Sequence, residues 1–225
     1  MASKRQPHRR SSTVALDLGG SVRPPFVRTD AAEPTVATTS SQFADTDYVI
    51  IRGLLTGDLA RFLATQLRLQ RAVDSQGKGD SQVPKSYAVY GALPSEALLE
   101  WCRPRIETET GIRLYPTYSF ARVYDQGADL APHIDRGSCE ISATICLDYR
   151  GGANWPIFVE NRAGDAVEVM LAPGDGMIYR GMVRKHWREA YSGHWHAQCF
   201  LHYVDADGPL AEYKYDKRPG IGFKK

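Results

Sequence analysis

Between residues 114 and 204 the chain is a succession of short strand-like runs broken by turn residues. This rhythm constrains the fold more than any other feature. Residues 115–124 alternate large and small side chains, and Asp125-Gln126-Gly127 breaks the run. Further runs follow at 140–147, 156–160, 166–171, 176–179 and 194–204. Gly151-Gly152, Ala163-Gly164-Asp165 and Pro173-Gly174-Asp175 separate them. Glycine reaches backbone angles closed to other residues, and proline withholds an amide from the ladder, so such clusters end strands. Many short strands at this spacing predict a β-sandwich or jelly roll.

The segment before this β region has another period. Residues 48–52 (Tyr-Val-Ile-Ile-Arg) predict a strand. Thr56 then caps a helix in which Leu59, Phe62, Leu63 and Leu67 are expected on one face. Ser95 is expected to cap a second helix with Leu98, Leu99, Cys102 and Ile106 inward, ended by Gly111. Residues 74–85 are polar, contain Gly77 and Gly79, and predict a loop. The expected organisation is therefore a single mainly β domain over 46–225, with a helical buttress at 46–112 and a β core at 113–205. Residues 1–45 are rich in Ser, Thr, Arg, Pro and Ala without periodicity, which predicts a disordered leader. Its Arg and Ser content also suits a cleaved transit peptide, although Asp17 and the prolines argue against a clean amphipathic helix.

Composition narrows the classes. A 225-residue chain with 43% hydrophobic residues can bury one real core. The net charge of +2 gives no basic excess for nucleic acid, and no apolar run reaches the ~20 residues of a membrane span. Cys102, Cys139, Cys146 and Cys199 form no CxxC pair, which predicts reduced intracellular thiols and a soluble cytoplasmic protein.

The chemistry-bearing motif is His133-Ile134-Asp135. On an extended segment, residues two apart point to the same side. A third ligand from a distant strand would complete a two-histidine, one-carboxylate facial triad, a set suited to Fe(II) with its opposite face open. His186, His194, His196 and His202 are the candidates.

Arg122-x-Tyr124-x-x-Gly127-x-x-Leu130-x-x-His133-x-Asp135 resembles the iron-site entry of the 2-oxoglutarate and Fe(II)-dependent oxygenases, in particular their prolyl-hydroxylase-like branch. Residues 141–147 resemble the strand after the His-x-Asp turn, and Leu171-Ala172-Pro173-Gly174-Asp175 resembles the turn before the penultimate core strand. The resemblance spans about 116–203. It implies a double-stranded β-helix of jelly-roll, cupin-like type with flanking helices. It also implies His186 as the third ligand, and Fe(II), 2-oxoglutarate and dioxygen as cofactor and cosubstrates. The implied reaction is hydroxylation, with release of succinate and carbon dioxide. Asp135 speaks against the related halogenases, which lack the carboxylate.

The chain departs from the pattern where the family places an Arg or Lys for the 5-carboxylate of 2-oxoglutarate. Here the stretch reads Gly193-His194-Trp195-His196-Ala197-Gln198. His194, His196, Arg188 and Arg122 are candidate anchors, and Tyr124 resembles the tyrosine that bonds the same carboxylate. The expected substrate is an amino acid, a small metabolite or a peptidyl residue. Two alternatives remain at this level: a non-catalytic jelly-roll binding module, and a cupin-like dioxygenase that uses no oxoacid. Tyr179, Trp155, Trp187 and Trp195 are expected as core or rim aromatics, Arg180 and Arg184 as surface charges, and Ser142 and Thr144 as inward hydroxyls.

Overall fold

A computed structural model describes residues 39–74, 79–152 and 155–223. Most of the expected leader lies outside the described residues. Its last positions form helix α1 (Thr39–Thr46), whose Phe43 is fully buried, so ordered structure begins before residue 46. Strand β1 (Tyr48–Ile51) follows, then helix α2 (Gly57–Val73). Thr56 caps α2 as expected, its Oγ1 accepting the Leu59 amide at 3.3 Å. Ala60, Leu63, Ala64 and Leu67 form the buried stripe. Phe62 is 67% exposed, contrary to expectation, because it lies about 200° round the helix from Ala60.

After strand β2 (Ser86–Tyr90) comes helix α3 (Leu93–Thr110). It starts earlier than expected. Ala92 is the cap residue, without a side-chain bond, and Pro94 presets the first turn, so Ser95 lies inside the helix. Leu98, Leu99, Cys102 and Ile106 are buried, and Gly111 ends the helix at φ 70°, donating to the Glu107 carbonyl at 2.8 Å.

The remaining strands are β3 (Leu114–Asp125), β4 (Leu130–His133), β5 (Ile141–Arg150), β6 (Ile157–Glu160), β7 (Ala166–Val169), β8 (Gly176–Tyr179), β9 (His186–Arg188) and β10 (Trp195–Asp205). They form two antiparallel sheets, ordered β1-β8-β5-β10-β3-β2 and β4-β9-β6-β7. This is the mainly β jelly roll expected, with helices outside. β1 and β2, inside the expected helical buttress, join the larger sheet.

Strand period explains how that sheet serves two layers. On β10, Ala197, Cys199, Leu201 and Tyr203 pack with residues of α2 and α3, including Leu67, Leu99 and Ile106. The alternate residues of β10 face the smaller sheet. There Cys146, Met177 and Tyr179 pack with Ile157, Val159 and Val169. Burial on both faces makes β3, β5 and β10 almost continuously buried.

Candidate metal centre and its cavity

His133 ends β4 and His186 opens β9, and the two are direct partners across that strand pair. Asp135 lies two residues past β4, where its amide donates to the Gly181 carbonyl at 2.8 Å. The turn thus delivers the carboxylate between the two rings. His133 Nε2 stands 3.7 Å and His186 Nε2 3.6 Å from the same Asp135 Oδ1, and the imidazole centroids are 4.2 Å apart.

Both histidines spend their other nitrogen on backbone. His133 Nδ1 donates to the Ala131 carbonyl at 2.9 Å and His186 Nδ1 to the Arg184 carbonyl at 3.0 Å. Each Nε2 therefore presents a lone pair toward the shared oxygen, the tautomer that a metal requires. Burial, then the neighbouring His186, push the His133 pKa down and keep that ring neutral. Burial alone would raise Asp135, but the neighbouring His186 and His202 and the Ser142 hydrogen bond bring it down to about 2. Two imidazoles and one ionised carboxylate form a donor set for a divalent cation. With metal–ligand bonds of about 2.0–2.2 Å, ligands at right angles stand roughly 3 Å apart, so small rotations would let the three side chains hold one ion.

The free oxygen of the carboxylate is also held. Ser142 Oγ donates to Asp135 Oδ2 at 2.9 Å and contacts His202 Nδ1 at 2.9 Å. Gly181 makes this packing sterically feasible, since a Cβ there would sit 2.2 Å from Asp135 Oδ2. Asp135, Cys139 and His202 form a second compact grouping. Burial pushes the Cys139 thiol up to about 12, which suits a protonated neighbour better than a ligand.

The three donors open on a cavity of about 210 Å³ lined from both sheets. Arg122 and Tyr124 (β3), Tyr179 (β8) and Phe200 and His202 (β10) face Leu130 (β4), Ile157 (β6) and Arg188 (β9) across it. Among the described residues, three buried side-chain polar atoms lack a hydrogen-bond partner: Arg122 Nε, Tyr124 Oη and Arg188 Nε. All three residues line this cavity. Arg188 donates through Nη1 to the Trp155 carbonyl at 2.6 Å. With the Gln198 amide turned so that its oxygen faces Arg188, it accepts from Nη2 at 2.9 Å and donates to Thr144 Oγ1.

Of the candidate anchors read from sequence, Arg122, Tyr124 and Arg188 reach the cavity, and His194 and His196 do not. His194 precedes β10, is exposed, and lies in a separate surface groove with Arg68, Arg71 and Trp195. His196 does sit on the inner face, but it is enclosed by Tyr149, stacked 5.4 Å away, and by the edges of Trp155 and Tyr191. Burial first, then the charge of Arg188, push its pKa well down, so it cannot offer a cation to a carboxylate. Tyr179 packs in the core as expected and also reaches the candidate metal donors, with its Oη 3.4 Å from His186 Nε2. Only its inward register opposite Ser142 could have signalled this.

No protein-family model and no curated protein matches this chain. Solved structures do. A Pseudomonas putida prolyl-4-hydroxylase superposes with a TM-score of 0.61 at 16% identity, over 76% of this chain and 98% of its own. The fold is that of the 2OG-Fe(II) oxygenases. The epimerase SnoN from nogalamycin biosynthesis, in complex with Fe3+, alpha ketoglutarate and nogalamycin RO, gives a TM-score of 0.62 at 18% identity, over 84% of this chain and 92% of its own. A 2OG-Fe(II) oxygenase family oxidoreductase from Burkholderia pseudomallei gives 0.59 at 14% identity, over 78% and 93%. No helix among the described residues is long and apolar enough to cross a membrane.

Proposed function

We propose that this chain is an Fe(II)- and 2-oxoglutarate-dependent oxygenase that hydroxylates a small molecule or a peptidyl residue. The observation that carries the proposal is the coincidence in one cavity of the His133/Asp135/His186 donor set with the three unpartnered buried donors. Buried polar atoms are nearly always satisfied, so three exceptions around one space point to a polar anionic ligand. His133, Asp135 and His186 would hold the iron. Arg188 and Tyr124, near each other and remote from solvent, would take the 5-carboxylate of 2-oxoglutarate by charge-assisted and neutral hydrogen bonds.

Bound iron and 2-oxoglutarate together supply the oxidising chemistry, in which dioxygen is consumed, succinate and carbon dioxide leave, and one oxygen atom enters a C–H bond. The protein's own residues position and shield. Ser142, backed by His202, keeps Asp135 Oδ2 occupied, so that Oδ1 would be the oxygen offered to iron. The carbonyls of Ala131 and Arg184 fix both imidazoles in the ligating tautomer. Leu130, Ile157 and Phe200 wall the cavity with apolar groups and limit water.

Anaerobic titration of the Fe(II)-loaded protein with 2-oxoglutarate tests this reading. A visible charge-transfer band is expected in wild type and His196→Ala, and its loss in Arg188→Met. No band, together with no iron-dependent succinate release, would refute it. Isotopically heavy dioxygen separates hydroxylation, which labels the product, from epimerisation, which does not.

A further inference from the structure

Arg122 is left over once the cosubstrate is placed. It is 3% exposed, lines the cavity, and sits on the same face of β3 as Tyr124. Among the described residues one of its five donors is used: Nη2 pairs with Asp80 Oδ2. Its Nε has no hydrogen-bond partner among the described residues. Asp80 lies in the loop before β2, its side chain is 40% exposed, and its other oxygen accepts the amides of Gln82 at 3.1 Å and Val83 at 2.8 Å. The Arg122 end of the cavity therefore opens toward solvent, whereas Arg188, 2% exposed, is closed off by Trp155.

The surroundings of Arg122 on the open side are aromatic. Its guanidinium lies 5.1 Å from the Phe120 ring centroid, and Phe120 and Phe200 are 6.3 Å apart on the same lining. A desolvated guanidinium with an unused N–H edge, beside apolar walls, matches a carboxylate carried on a small apolar body. The volume supports small size. About 210 Å³ falls below the ~300–1,000 Å³ of pockets that take larger ligands, and the cosubstrate shares it.

We propose that Arg122 binds a carboxylate of the substrate, so that the substrate is a small free organic acid, an amino acid included, and not an internal residue of a polypeptide. Asp80 holds the guanidinium in place from the loop side. This rests on the oxygenase reading for the identity of the other occupant, but the binding contrast below is read separately from it.

The test uses the Mn(II)-loaded full chain with saturating 2-oxoglutarate, which cannot turn over. A panel of free amino acids and small hydroxy acids is compared with the matching carboxamides, by melting temperature and by calorimetry. Some free acids are expected to bind, with their carboxamides weaker by roughly 10- to 100-fold. Arg122→Met should abolish that preference, while 2-oxoglutarate binding remains. Arg122→Lys, which keeps the charge without the fork, should retain part of it. The proposal is overturned if no acid binds, if acid and carboxamide bind alike, or if Arg122→Met binds acids as wild type does. It is also overturned if Arg122→Met loses 2-oxoglutarate instead, since Arg122 is then the cosubstrate anchor. The acid-against-carboxamide contrast in wild type needs no variant to fold. Failure of 2-oxoglutarate itself to bind wild type would count against the oxygenase reading, and the acid contrast would still decide Arg122.

Discussion

The two faces of the six-stranded sheet come from the same strands and share almost no chemistry. Toward the helices, β10 presents Ala197, Cys199, Leu201 and Tyr203, all packed into an apolar layer. Toward the cavity side it presents His196, Gln198, Phe200 and His202, whose polar groups pair with one another or with Ser142. Period-two alternation lets one strand serve stability on one side and binding on the other. The smaller sheet differs again: its strands are three or four residues long, and two of them carry the candidate metal-binding histidines. The long strands form the frame, and the short ones, β4 and β9, position His133 and His186.

Substitutions on the two faces should separate fold from function. The largest expected effect is from Asp135→Ala or His186→Ala, which should reduce iron-dependent succinate release to background while circular dichroism stays native. Unfolding by either would show that the donor set is needed for structure. Leu201→Ala, on the helix face, should cost about 2–5 kcal/mol in urea unfolding, while the folded fraction still binds 2-oxoglutarate.

Gly181→Ala sharpens the contrast, because its Cβ would fall 2.2 Å from Asp135 Oδ2 without entering the apolar layer. Iron affinity should fall roughly 10- to 100-fold with little change in melting temperature. A variant that binds iron normally would show that the Asp135 turn adapts.

Asp47 tests an ion cluster away from both faces. Arg162, Arg180 and Arg184 converge on its carboxylate, so Arg180 and Arg184, expected from sequence as surface charges, are half-buried and ion-paired. The Arg162 bond first, opposed by burial and helped by Arg184, brings Asp47 down from 3.8 to about 2. A depressed folded pKa adds stability above the unfolded value, and that stability is lost as pH falls from about 4 toward 2. Asp47→Asn, which tolerates the positive φ of 64°, should therefore cost about 2 kcal/mol at pH 7. The gap from wild type should close across that acid window, and a pH-independent gap would assign the effect to packing. The smallest effect expected is from Tyr124→Phe, several-fold weaker 2-oxoglutarate binding at unchanged stability, as for one neutral hydrogen bond.

Much of the frame was legible locally. β8 falls at residues 176–179 as read from sequence, and β1, β5, β6, β7 and β10 fall within a few residues of expectation, because strand alternation and turn residues are local signals. β2, β4 and β9 were missed. β9 has only three residues, and β4 contains Pro132 and a register irregularity, so neither carries a readable period. Of the cavity, Tyr124, Arg122 and Arg188 could be singled out as candidates, yet so could His194 and His196. Spacing along a strand does not say where a neighbouring aromatic plug such as Trp155 ends the open space.

What the sequence by itself determined was a run of short strands of jelly-roll type and a His-x-Asp element able to supply two metal donors, since strand alternation, turn residues and i, i+2 spacing are set within a few residues. Which arginines share the cavity, that Gly181 leaves room for Asp135, and that Ser142 and His202 hold its second oxygen were decided only by tertiary structure. Gly181 lies 46 residues from Asp135, His202 lies 60 from Ser142, and Arg188 lies 66 from Arg122, and only the tertiary fold brings them within reach.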